Sequence, residues 1–118
     1  MRDDTGYLQD ILEAIQQVEK YAGQGRGAFE DSELIQVWIV HHIQIVGEAV
    51  RRLSESLRSR HSEVPWPQIA AMRNILVHDY FRIDLDEVWL VVQNDIPTLK
   101  NQVEAILEEL EGRPDAEL

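Results

Sequence analysis

The chain has 118 residues and a mass of 13.7 kDa, with 11 basic and 22 acidic residues, so its formal charge is −11. That length suits one domain, and 44% apolar residues are enough for one packed core. The absence of cysteine removes disulfides, thiolate zinc sites and cysteine nucleophiles together. The longest apolar run, Val88-Trp89-Leu90-Val91-Val92, is five residues, whereas a membrane-spanning helix needs about 20. The opening residues 1–5 are polar and acidic and lack the basic and apolar regions of a signal peptide. The expected location is the cytoplasm.

Leu8, Ile11, Leu12, Ile15, Val18 and Ala22 recur at three- and four-residue steps, which predicts an amphipathic helix over residues 5–22. Gly23, Gly25 and Gly27 end it, and residues 23–31 read as a loop. Asp31 or Ser32 can cap the next helix, a long one over 32–57 with the stripe Ile35, Ile39, His42, Val46, Ala49, Leu53 and Leu57. Trp38, Ile43, Ile45 and Val50 widen that stripe, so this helix should lie centrally. Gly47 interrupts it at a propensity cost of about 1 kcal/mol, which points to close approach of another backbone.

Residues 58–67 read as a loop closed by Val64-Pro65-Trp66-Pro67. Pro67 fits the first turn of a third helix over 67–78. Asp84-Leu85-Asp86-Glu87 is a capping-box pattern ahead of a fourth helix on Leu85, Val88, Trp89 and Val92. Asp95-Ile96-Pro97 restarts the chain into a last helix on Leu99, Val103, Ile106, Leu107 and Leu110, ended by Gly112-Arg113-Pro114. The expected fold is all-α: four or five antiparallel helices in one bundle over residues 1–111, with a short mobile tail over 112–118.

A charge of −11 argues against a general nucleic-acid binder, but the charge is uneven. Residues 51–82 hold six arginines and three acids, or +3, and the rest of the chain is −14. Inside that window, residues 72–81 pack Arg73, Asn74, His78, Asp79 and Tyr80 beside an apolar stripe. Histidine can take and return a proton near neutral pH, and arginine can stabilise charge building on phosphate oxygens. These groups permit phosphoryl transfer without a metal. On one unbroken helix, Arg73 and His78 lie about 140° apart, so they share a cleft only if the helix ends near His78 or a second copy supplies neighbours. Spacing alone leaves the plain structural alternative open: a packed or capping His78 and an ordinary Arg73–Asp79 ion pair.

Arg73, four residues, His78, one residue and Tyr80 together resemble the Arg-x4-His-x-Tyr signature of HepT-like ribonuclease toxins in the HEPN superfamily. The first-helix segment from Tyr7 to Ile15, Ile45-Val46-Gly47-Glu48-Ala49, Pro65-Trp66, Asp84-Leu85 with Trp89, and Asp95-Ile96-Pro97-Thr98-Leu99 extend the resemblance over nearly the whole chain, in order. The resemblance implies a helical homodimer with two motif copies at one composite cleft. It implies a metal-independent endoribonuclease, without a cofactor, in which the RNA 2′-hydroxyl attacks the adjacent phosphorus. His78 would be the acid/base group, Arg73 would stabilise the transition state, and Asn74 would support them. It also implies a partner, a minimal nucleotidyltransferase antitoxin of the MntA type, which attaches AMP to the motif tyrosine, here Tyr80. A helical module that only docks or scaffolds such a nucleotidyltransferase is the rival, and it does not need the Arg73/His78 pair.

The remaining candidates have simpler expected roles. His41 and His42 are adjacent and cannot clamp one metal as an i, i+4 pair could. His42 falls on the apolar stripe and is expected to be hydrogen-bonded, while His61 sits in a polar stretch and is expected to be solvated. Glu48 precedes Arg52 by four residues, the spacing of a surface ion pair, with a supporting role near the motif as the alternative. Trp38, Trp66 and Trp89 are expected to be core or interface anchors.

Overall fold

The computed structural model describes residues 3–77 and 84–112, without the side chains of residues 74–77. The fold is an all-α bundle of α1 (Asp4–Ala22), α2 (Arg26–Asp31), α3 (Glu33–Arg52), α4 (Glu55–Arg60), α5 (Trp66–Val77), α6 (Leu85–Leu90) and α7 (Ile96–Glu111). A π-helical turn over Val91–Asp95 joins α6 to α7. No helix among the described residues is long and apolar enough to cross a membrane.

The first helix starts one residue before the predicted bound, because the Asp3 carboxylate accepts the Gly6 N–H at 3.1 Å. Leu8, Ile11, Ile15 and Val18 are fully buried, as their spacing requires, and Ala14 joins them. Residues 23–31 are not wholly a loop. Gly25 turns the chain at φ 96°, and α2 follows with Phe29 fully buried and its ring 5.3 Å from that of Trp89. One core residue in a six-residue helix leaves no periodicity to read. Gln36 Nε2 donates to the Phe29 and Glu30 carbonyls, satisfying the end of α2.

Ser32, rather than Asp31, caps α3 by accepting the Ile35 N–H. The central helix ends at Arg52, short of the expected residue 57, with Leu53 extended at ψ 146°. Ser54 breaks it. Its hydroxyl caps α4 by accepting the Leu57 N–H, and its own N–H and O–H both donate to Asp4, at 2.8 and 2.6 Å. A serine so placed offers the backbone an alternative to continuing the helix. The segment read as a loop from residue 58 therefore begins inside α4. His61 is also corrected: it is buried at 9% exposure, not solvated. Its carbonyl accepts the Trp66 indole N–H at 3.0 Å, which draws this turn under the buried Val64 and Trp66.

Pro67 sits in the first turn of α5, and Asp84 caps α6 by accepting the Glu87 N–H. The expected restart at Asp95-Ile96-Pro97 is present as the start of α7, with Pro97 in its first turn, but the helical backbone does not break there. Pro97 has no N–H with which to continue the α register, and the helix absorbs it by widening: the Ile96 N–H reaches back five residues to the Val91 carbonyl. Helical backbone thus runs unbroken from residue 85 to residue 111.

Contacts across three helix pairs give the packing order. The start of α1 meets the end of α3 through Asp4 and Ser54, and the end of α1 meets the start of α3 where Trp38 Nε1 donates to the Gln17 carbonyl at 2.8 Å. Those two helices are antiparallel. Lys100 near the start of α7 donates to both Glu19 oxygens late in α1, and Leu12, nearer the start of α1, shares a groove with Leu107 and Glu108, so this pair is antiparallel too. The hydrogen bonds and charge of Glu19 raise the lysine above its ordinary range. The stabilising share of this pair is therefore fully present at neutral pH and fades only as the solution climbs through the raised lysine value. Finally, Gly47 late in α3 meets residues 69–73 of α5. The helix α3 is central, packed on α1 at one side and α5 at the other.

The Gly47 contact confirms the close approach expected from the sequence. A Cβ there would lie 3.0 Å from Arg73 Cβ, 3.3 Å from the Ile69 carbonyl oxygen and 3.4 Å from that of Ala70. None of these atoms is the free end of a flexible side chain. Gly27, also helical, has nothing within 4 Å of the same position. We expect Gly47→Ala to destabilise the fold by about 1–3 kcal/mol, because overpacking outweighs the propensity gain. Gly27→Ala should be neutral or stabilising by up to about 1 kcal/mol. Thermal denaturation of the two variants side by side checks the contrast.

Candidate active site

Arg73 lies on the face of α5 turned toward α3. The missing side chain at Gly47 lets the stem of Arg73 sit against the α3 backbone. Glu48, the next residue of α3, meets the head: Arg73 Nε lies 3.1 Å from Glu48 Oε2. Glu48 also meets Arg52 through Oε1 at 3.4 Å and Arg51 through Oε2 at 3.9 Å. The surface pair anticipated between Glu48 and Arg52 is present, but it is part of a larger cluster of three arginines around one carboxylate.

Arg51, Arg52, Arg73 and Glu48 together sum to a formal charge of +2 on a chain of −11. Three of the six arginines of the positive window, Arg51, Arg52 and Arg73, meet in this cluster. The side chains of Arg73 and Glu48 are 39% and 38% exposed, so both are reachable from solvent. Yet the Oε2 atom of Glu48 is itself closed off from solvent and makes no aligned hydrogen bond, so its contact with Arg73 is a charge contact with the N–H off line. A cleft of about 300 Å³ opens beside the cluster, lined by Tyr7, Asp10, Ile45, Glu48, Ala49 and Arg52. Asp10 and Ile45 also line a separate groove of about 240 Å³ that reaches His42 between α1 and α3. A larger cavity of about 580 Å³ lies between α1 and α7 around Lys100 and Glu104, and Arg73, the motif residue whose side chain is described, does not line it.

Asn74 follows Arg73 within α5. His78 and Tyr80 lie outside the described residues. His42 is satisfied as expected, with Nδ1 2.7 Å from the Trp38 carbonyl oxygen. Its ring lies 4.5 Å from that of Trp38, and His41 lies beside it at 5.0 Å and exposed. Trp66 and Trp89 are core residues, while Trp38 is half-buried. Among the described residues, no three histidine, aspartate or glutamate side chains are placed to hold a metal ion.

A site of this kind, an arginine cluster at the crossing of two helices of an all-α bundle, is suited to anionic substrates such as phosphodiesters. The comparisons with known proteins narrow that class. The profile of the family described as "Ribonuclease HepT-like" matches residues 11–106. A "Gamma-glutamylcyclotransferase and putative RNase" of Methanocaldococcus jannaschii is 39% identical over 113 residues, 94% of this chain and 51% of that protein. A "Putative RNase" of the same organism is 33% identical over 89% of this chain and 97% of its own length. A "Probable ribonuclease HepT" of Thermococcus cleftensis is 34% identical over 89% of this chain and 96% of its own. The chain thus spans about half the length of the first relative and nearly all of the other two. No solved structure matches it significantly. The chain belongs to the HepT-like ribonuclease family.

Proposed function

We propose that this chain is an endoribonuclease toxin that cleaves RNA without a metal. The observation that carries the reading is Arg73: a permanent cation of the family's motif, half-exposed and held against α3 in the positive part of an acidic molecule. In the proposed reaction His78 serves as acid/base group. The 2′-hydroxyl loses its proton and its oxygen bonds to phosphorus. The bond from phosphorus to the 5′-oxygen breaks, and that oxygen takes up a proton. The products are a cyclic phosphate and a 5′-hydroxyl. Arg73 holds the phosphate oxygens, where charge builds at the transition state, with Asn74 in support. Because the nucleophile is already on the substrate, the chain must supply only proton transfer and charge stabilisation.

His78→Ala and Arg73→Ala should each lower RNA cleavage by on the order of 10²–10⁴ while keeping the far-UV helical signal. Cleavage should persist in excess chelator. Wild-type rates in either variant would leave the scaffold reading, which needs neither residue.

The site is proposed to be composite, completed by a second copy of the chain. Leu34 and Val37 support this. They are 84% and 54% exposed on the outer face of α3, the helix that also carries Glu48. Exposed apolar side chains grouped on a helix face mark a contact surface, and a twofold axis would bring two motif copies together. Light scattering at micromolar concentration should give a dimer, and Leu34→Glu with Val37→Glu should shift it toward monomer and reduce cleavage in parallel.

The toxin is proposed to be neutralised by a minimal nucleotidyltransferase antitoxin of the MntA type that adds AMP to Tyr80. The added phosphodiester would pair with an arginine such as Arg73, and the adenosine would fill the space RNA needs. Co-expression with the neighbouring nucleotidyltransferase should add AMP mass to Tyr80 and silence cleavage, and Tyr80→Phe should escape both. Intact-mass spectrometry reads the outcome; an unmodified Tyr80 in a neutralised complex would mean inhibition by binding alone.

A further inference from the structure

Four observations converge on Glu48. Its neighbour Gly47 seats the Arg73 stem, with a would-be Cβ only 3.0 Å from Arg73 Cβ. Its Oε2 lies 3.1 Å from Arg73 Nε. Its Oε1 is occupied by Arg52 one turn along the same helix, which sets the carboxylate so that Oε2 faces α5. And Oε2 is closed off from solvent, so water does not compete for it. An ion pair built only for stability would gain little here, since both side chains are more than a third exposed and solvent screens such pairs.

We infer that Glu48 is the positioning residue for Arg73, holding its guanidinium by Nε so that the terminal nitrogens are presented to a phosphate. A guanidinium has five N–H donors in a rigid plane, and fixing Nε leaves the outer edge as a two-donor fork for phosphate oxygens. Catalysis by an arginine depends on that orientation being set before charge develops. The contact is off line in the free protein, as catalytic contacts often are before substrate binds. Glu48 thus acts through Arg73 and does not touch the RNA. The inference rests on Arg73 being the transition-state cation of the proposed nuclease.

The test uses the full-length chain and a short single-stranded RNA carrying one cleavable site. Glu48→Gln keeps the shape and removes the charge. It should lower kcat by about 10–100-fold while KM moves by less than about threefold, with the melting temperature nearly unchanged. Glu48→Asp, which keeps the charge on a shorter stem, should recover part of the rate. Arg73→Ala should regain activity in added guanidinium, and the Arg73→Ala/Glu48→Gln double variant should not, because the carboxylate that would hold the guanidinium is gone. The Arg73 Nε–H resonance, assigned by its loss in Arg73→Lys, should shift in Glu48→Gln whether or not RNA is cleaved.

If the wild type cleaves RNA and folded Glu48→Gln matches it, the positioning role is overturned. Equal guanidinium rescue of the single and double variants would overturn it as well. Should Glu48→Gln fail to fold, Glu48→Asp and the resonance of Arg73 decide: full wild-type kcat in Glu48→Asp with an unmoved Nε–H signal would count against the inference. A wild type that cleaves no RNA, with the resonance shifting in Glu48→Gln as expected, would instead sink the nuclease reading and leave the Glu48–Arg73 geometry intact.

Discussion

The crossing of α3 and α5 at Gly47 is the contact on which the rest of the site depends. Two helices approach this closely only where one of them has no side chain to interpose. Arg73 Cβ and two α5 carbonyls fill the space a side chain would take. That approach brings the Glu48 carboxylate within reach of a guanidinium on the next helix. A wider crossing would leave Arg73 as one more solvated surface arginine. The helix therefore accepts a poor helix former in its last two turns in exchange for the contact that orders the site.

Electrostatics follow from the same crossing. The arginines at positions 51 and 52 end α3, where cations also meet the negative end of the helix dipole. Arg73 arrives from α5, and a single carboxylate sits among the three. The outcome is a small positive surface on a strongly acidic molecule. Such a surface favours an anionic chain locally while the net charge discourages indiscriminate binding along the rest of the molecule. Asp10 in the adjoining cleft and Asp4, which ties down the end of α3, mark where the acidic body resumes.

The long amphipathic helices were legible because burial repeats along them. Leu8, Ile11, Ile15 and Val18 on α1, and Leu99, Val103, Ile106 and Leu107 on α7, occupy the core positions their spacing demands. The short pieces were not legible for the same reason. Phe29 alone anchors α2, and Leu57 alone anchors α4. A single buried residue has no period. Ser54 looked like one more polar position on a long helix, and its role as a break depends on Asp4, fifty residues earlier in the chain. Pro97 looked like a boundary, and α7 does begin at Ile96, but a π turn carries helical backbone into it without a break.

The sequence by itself determined the helical class, the central place of the helix around Val46, the special character of Gly47, the family motif at Arg73, His78 and Tyr80, and the placement of positive charge between residues 51 and 82. These are properties of local order and composition, and a period or a spacing records them. Only the tertiary structure decided what Arg73 faces. Glu48 has arginines three and four residues away in its own helix, at positions 51 and 52, and reading along the chain selects those partners. The third lies twenty-five residues on, across a helix crossing, and its distance depends on how deeply α5 settles onto a glycine. Contacts between helices are fixed by packing of whole faces, so the partner of the candidate catalytic arginine could be read only after the bundle had closed.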